Sequence, residues 1–210
     1  MRAPDGELPL PTAVDVPAYW RALGPKRWFV RDAAVDTEIR AKFLGLYTAA
    51  VTGSLGPWED DASGALAHII VLDQFPRNMF RDSAAAFAAD PLACAVAGRA
   101  IDRGFDRQAA KAERPFFYLP YMHSEALADQ QRCLNLCRAG EDAGTLEYAE
   151  LHLDIIRRFG RFPHRNAMLG RVTTPEEQGF WMAAGLPGKG LESNELSRPP
   201  GWELVSASFN

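Results

Sequence analysis

The sequence predicts an all-α fold, an antiparallel array of helices forming a single domain. Three observations lead to it. Apolar residues recur at helical spacing, as in Ile39, Phe43, Leu46 and Tyr47, and no segment alternates with the period of two that a half-buried strand requires. The periodic stretches are separated by short turns rich in Gly and Pro, which makes consecutive helices antiparallel neighbours. Capping chemistry stands at the expected boundaries. Asp90-Pro91 opens one helix, and Thr174-Pro175-Glu176-Glu177 places threonine at the N-cap and glutamate at N3, as a capping box does.

In chain order, Asp15 and Pro17 open a short first helix through Tyr19 and Trp20. A longer helix covers residues 36–52 and ends at Gly53, with Gly56-Pro57 just beyond. The next covers residues 62–74, burying Leu66, Ile69 and Ile70, and Pro76 is expected to stop it. The helix opened by Asp90 should end at Gly104, a residue free to take the left-handed conformation of a helix terminus. Pro115-Phe-Phe-Tyr-Leu-Pro120 reads as an aromatic turn. Helices then follow over residues 124–138, ended by Gly140, and 145–159, ended by Gly160. The last runs from residue 174 to 184, so the helical domain is expected over residues 1–184 and an irregular tail over 185–210.

Twenty-seven acidic residues stand against 23 basic ones, a net charge of −4 that argues against nucleic-acid binding by bulk charge. A hydrophobic content of 47% supplies a real core. No apolar run approaches the length of a membrane span and the first residues contain no signal-like apolar segment, so a cytoplasmic protein with no membrane partner is expected. Cys94, Cys133 and Cys137 are odd in number and read as reduced thiols, the last two as small core residues one helical turn apart.

Polar chemistry is densest in Arg158-Phe-Gly-Arg161-Phe-Pro-His164-Arg165-Asn166, and it is echoed by Asp73-Gln-Phe-Pro-Arg77-Asn78. Guanidinium groups offer planar forks to carboxylate or phosphate, so Arg77, Arg158, Arg161 and Arg165, with Asn78 and Asn166, are candidate contacts to a small anionic ligand. The plainer alternative is that they pair with buried acids such as Asp73 and brace helix ends. His152 shares an apolar stripe with Tyr148, Ile155 and Phe159. It is either a core histidine bonded to a carbonyl or an inward-facing acid or base. His164, beside Arg165, is expected to stay neutral and to suit a base.

A second cluster is His123-Ser124-Glu125 with Asp129. Glu125 and Asp129 stand at i and i+4, a like-charge pair that needs a positive neighbour. His123 and Glu125 join His152 and His164 as catalytic candidates, and Asp73 and Asp129 are read as orienting residues. Ser124 is read as a helix cap, since no Gly-x-Ser-x-Gly elbow surrounds it. His123, Glu125 and Asp129 would suit a divalent ion, but the paired Glu-x-x-His pattern of di-metal bundles is lacking, so neither metal nor cofactor is expected. His68 is read as structural or exposed.

Three runs resemble a known family: Ile70-Val-Leu-Asp73-Gln-Phe-Pro-Arg77-Asn78-Met-Phe-Arg81, Leu119-Pro-Tyr-Met-His123-Ser-Glu125, and the stretch from His152 to Arg171 with its Arg161-Phe-Pro-His164-Arg165-Asn166. They are similar to the bacterial domain-of-unknown-function 924 family over roughly residues 15–182. The resemblance implies an all-helical, tetratricopeptide-like right-handed superhelix, and it implies no reaction or cofactor. It matches its motifs at Asp73, Arg77, Asn78, His123, Glu125, Asp129, His152, Arg158, Arg161, His164 and Arg165. A tetratricopeptide-like fold ordinarily binds peptides on a concave face, but the chain shows no 34-residue self-similarity.

Two functions fit these residues. One is an enzyme or binder of a small carboxylated or phosphorylated metabolite, a hydrolase or lyase in which His152 or His164 with Glu125 moves a proton while arginines clamp the anion. The other is a non-catalytic interaction module whose Arg/His/Glu set is a structural network and whose Trp58, Trp181 or Trp202 meets a partner. Convergence of the polar set in a cavity favours the first, and saturation by mutual pairs favours the second. A homodimer is compatible with the sequence.

Overall fold

Val16 and Trp20 recur on one face of α1 (Asp15–Leu23), and both are buried. Trp20 stacks on Trp28 of α2 (Pro25–Trp28), with ring centroids 6.0 Å apart. α3 (Ala33–Val51) begins earlier than its apolar spacing predicts, because Asp32 is the N-cap and accepts from the amides of Ala34 and Val35. Asp36 is thereby free for tertiary contacts. It takes two bonds of 2.7 Å from Arg81 and one of 2.8 Å from Asn78. The computed structural model describes residues 9–140 and 143–183, and no strand occurs among them. The tail expected over 185–210 lies outside the described residues, as do the side chains of Trp181 and Trp202.

The centre of the fold is α4 (Ala62–Ile69), continued by a π-helical turn, Ile70–Gln74, into α5 (Phe75–Met79). Pro76 does not stop this helix. The amide of Phe75 reaches back to the carbonyl of Ile70, so the ladder widens by one residue just before the proline that cannot donate to it. Every residue from 64 to 79 is buried. A helix hidden on all sides must satisfy its polar side chains inside the protein, and Asp73, Gln74, Arg77 and Asn78 are such side chains. His68 is buried as well, with Nδ1 3.3 Å from Glu59.

α6 (Asp90–Asp102) ends before Gly104, whose φ of 74° requires glycine's freedom, and α7 (Phe105–Gln108) follows. The stretch Ala84–Asp102 is long and apolar enough, by length and composition, to cross a membrane, with a mean hydropathy of 1.3, but half of it is buried within the fold. The expected aromatic turn is a helix, α8 (Pro115–His123), with Pro120 inside it. Residues 116–122 are all buried, and that tertiary burial overrides the breaking tendency of proline.

α9 (Leu127–Ala139) starts three residues later than expected, since Ser124-Glu125-Ala126 is a turn. Gln130, with 0% exposure, donates its amide to the carbonyls of Tyr121, Met122 and Ser124 at 3.2, 2.7 and 2.6 Å. That side chain pins the end of α8 and with it His123. α10 (Ala143–Phe159) lies antiparallel to α9, as the pairs Arg138–Glu150 and Arg157–Gln131 require. A 3-10 turn, Pro163–Arg165, follows Gly160, and α11 (Pro175–Ala183) begins with the expected capping box: Glu177 N donates to Thr174 Oγ1 at 3.2 Å and Thr174 N to Glu177 Oε2 at 2.7 Å. One large core joins α1 to α10, and a smaller cluster of Ile155, Ile156 and Phe162 lies beneath α11. The fold is an all-α single domain.

Gln130→Met keeps the volume of the side chain but removes its donors from three carbonyls. The expected loss is about 2–4 kcal/mol in urea unfolding, since orphaned buried polar groups cost roughly 1–3 kcal/mol each and partial hydration offsets some of it. A loss under about 0.5 kcal/mol contradicts the pinning role.

Candidate functional site

The π turn aims Asp73 at the end of α8. Its carboxylate, with 0% exposure, accepts from Gln74 Nε2 at 2.5 Å and lies 2.8 Å from His123 Nδ1 and 3.2 Å from Arg77 Nη1. Burial pushes the Asp73 pKa up, but Arg77 and then His123 and Gln74 outweigh it and hold the group ionised, at about 2. Burial and Arg77 both lower the pKa of His123, against the pull of Asp73, so the ring is neutral at pH 7. Nδ1 then carries the proton donated to Asp73. Nε2 has no partner among the described residues.

Asp90 bridges two guanidinium groups, Arg77 at 3.0 Å and Arg165 at 3.2 Å. The sequence suggests it only as a helix cap. Its helix is instead entered from Ala89, and the carboxylate serves the interior. Arg165 also donates to the His123 carbonyl at 2.9 Å, and its guanidinium lies over Phe87 and Phe162 at 4.4 and 4.8 Å. Burial brings its pKa down to about 10, which leaves it charged. Two carboxylates, Asp73 and Asp90, thus balance two guanidinium groups, Arg77 and Arg165, inside the protein.

Beside this network lies a cleft of about 470 Å³. His123, Ser124, Glu125, Asp129, Asp90 and Arg165 form its polar wall, and Ala84, Phe87, Ala88, Pro91 and Leu169 its apolar wall. Cys94 also lines it, but burial raises the thiol pKa to about 12, so no thiolate is available. Glu125 accepts two bonds from Arg171, at 2.8 and 2.9 Å, and one from the Phe162 amide at 2.8 Å. Glu125 lies in the turn before α9, so it does not share a helix face with Asp129 as their spacing suggests, and its positive partner is Arg171. Arg171 and Asp90 are the residues sequence reasoning passes over. Nothing local signals either of them: Arg171 meets Glu125 across 46 residues of chain, and Asp90 meets Arg165 across 75.

The remaining candidates do not line the cleft. Arg161 donates to Glu177 at 2.7 and 3.0 Å and to the Val172 carbonyl, and Arg158 pairs with Glu176 at 3.1 Å. Asn166 also donates to Glu177, at 3.2 Å, and Asn78 serves Asp36. His152 lies 2.8 Å from the Tyr148 carbonyl through Nδ1 and packs edge-on against Phe162; burial lowers its pKa to about 4. His164 stacks obliquely on Phe162, and burial and then Arg165 lower its pKa well below 6.5. Among the described residues no three His, Cys, Asp or Glu side chains converge as metal ligands.

The model of a family of bacterial proteins of unknown function, DUF924, matches residues 16–185. A solved structure of a protein of unknown function from Agrobacterium tumefaciens is similar at 44% identity and a TM-score of 0.79, covering 81% of this chain and 97% of that one. Comparison with curated proteins finds no match.

Two outcomes follow from the buried charges. Asp90→Ala leaves two guanidinium groups short of a carboxylate, and urea unfolding should show a loss of about 3–5 kcal/mol, the usual cost of breaking a buried pair. Stability should also fall with acid in two stages. His152 has an ordinary pKa of 6.5 and a folded value of about 4, so the unfolded chain takes the proton first and stability drops as pH falls below 6.5. His68, His123 and His164 are shifted in the same direction. Glu177, ordinarily at 4.5, is lowered to about 2, first by Arg161, and adds a loss below pH 4.5. A urea midpoint unchanged between pH 7 and 4 contradicts the neutral buried histidines.

Proposed function

The chain belongs to the DUF924 family of bacterial proteins of unknown function, and we propose that it is a cytoplasmic small-molecule enzyme using His123 as a general base. The observation that carries this reading is the buried Asp73 beneath His123 Nδ1, with Nε2 left as the ring's lone-pair nitrogen at a cleft-lining residue. A buried carboxylate that fixes the tautomer and orientation of a neutral imidazole is the arrangement that prepares histidine to take a proton and that stabilises the imidazolium formed. The volume lies within the range of small-molecule sites. A hydrolase, with His123 activating water, or a lyase, with His123 removing a substrate proton, fits a site lacking an activated Ser or Cys nucleophile. In this reading His123 takes the proton-transfer role for which His152, His164 and Glu125 are also candidates by sequence, and Glu125 orients the cleft wall through Arg171.

The arginines expected to clamp an anion each have a carboxylate partner, so anion clamping is not part of the proposal. That same saturation is the observation favouring the second reading, a non-catalytic interaction module braced by an internal network.

The test is a turnover screen of the purified full chain against pooled small metabolites, followed by mass spectrometry. His123→Gln should reduce any turnover found at least about 100-fold, as loss of a general base does, with the melting temperature retained. For the native protein kcat/KM should fall as pH drops through the lowered pKa of His123, below 6.5. Turnover unaffected by His123→Gln, or none found in the screen, favours the braced interaction module.

A further inference from the structure

The cleft offers hydrogen-bond acceptors where the arginine-rich turn would suggest donors. Of its charged wall residues, Asp90 is engaged by Arg77 and Arg165, and Glu125 by Arg171 and the Phe162 amide. Arg165 spends one terminal nitrogen on Asp90 and the other on the His123 carbonyl, and its Nε is buried. Asp129 is different. Its Oδ2 accepts from Ser124 Oγ at 2.6 Å, and no lysine, arginine or histidine among the described residues pairs with it. Four carboxylates, Asp73, Asp90, Glu125 and Asp129, stand against three guanidinium groups, Arg77, Arg165 and Arg171, so the unbalanced charge of the site belongs to Asp129. The other open polar atom is His123 Nε2, which in the neutral ring is also an acceptor.

We propose that the cleft binds a small primary amine in its ammonium form, with Asp129 as counter-ion, His123 Nε2 as a second acceptor, and a short apolar body against Phe87, Pro91 and Leu169. This rests on the reading of the cleft as a small-molecule site and names the ligand class. An ammonium group supplies three donors and one positive charge, which matches a wall of acceptors carrying one unpaired carboxylate. A carboxylate or phosphate of the same size would meet the unpaired charge of Asp129 with like charge, which disfavours it by repulsion. The apolar wall sets the rest of the ligand, since it has no polar side chain to pair with a second charged group.

The experiment titrates the full-length protein with n-butylamine and, separately, with butyrate at pH 7, following the histidine ring resonances by NMR with His123 assigned through His123→Gln. Butylamine is expected to shift the His123 signals saturably and butyrate to leave them unmoved. Asp129→Asn keeps an acceptor for Ser124 and should weaken butylamine at least tenfold, whereas Ser124→Ala keeps the charge and should retain binding. Equal or stronger binding of butyrate, or an Asp129→Asn variant that binds butylamine unchanged, overturns the ammonium assignment. Butyrate shifting the His123 ring would do so while leaving the small-molecule site standing. Shifts from neither ligand also overturn it, and the His123→Gln turnover comparison then decides separately whether the cleft is catalytic.

Discussion

Asp73 carries a full negative charge at a position without solvent, and the rest of the structure is arranged around that fact. Ionised carboxylates cost several kcal/mol to bury, and only close cations and donors offset the cost. Arg77, His123 and Gln74 supply them, Asp90 balances Arg77, and Arg165 balances Asp90 in turn. The network gathers the π turn, α5, α6, the end of α8 and the turn after α10, segments spread across the chain. No member can be properly satisfied before the others are in place, so the network and the helix packing require each other.

That requirement explains why side chains of a ligand-clamping type work as braces. In a low dielectric an unpaired guanidinium is expensive, and Arg77 and Arg165 are buried deeply enough that carboxylates must meet them. Arg161 and Arg158 perform the same task nearer the surface, holding α11 against α10 through Glu177 and Glu176. With the guanidinium groups committed, the electrostatic character of the cleft falls to Asp129 and to the ring of His123. The arginines therefore act on the site at one remove: they fix the acids and the histidine, and leave the cleft itself rich in acceptors.

Much of the fold was legible in the residues, and the exceptions share one cause. The periodic stretches of α3, α9 and α10 and the Thr174–Glu177 capping box are local signals, expressed within a turn or two of chain, and each appears close to its expected place. Pro76 and Pro120 read as breaks, yet each lies within a continuous helical path, because burial on every side outweighs the loss of one backbone donor. Asp90 reads as a cap because an aspartate before a proline usually is one. Its true partners, Arg77 and Arg165, are 13 and 75 residues away in sequence.

The site divides in the same way. Residue type and spacing by themselves determined an all-helical domain, an inward-facing His152, a neutral His164 and two concentrations of polar chemistry, since these follow from periodicity and neighbouring charge. Which histidine stands at a cleft, which carboxylate is left without a cation, and which arginines are spent on acids were decided only by tertiary structure. The reason is electrostatic. The charge a ligand meets is the remainder after every buried pair has been made, and that remainder depends on contacts between residues far apart in the chain.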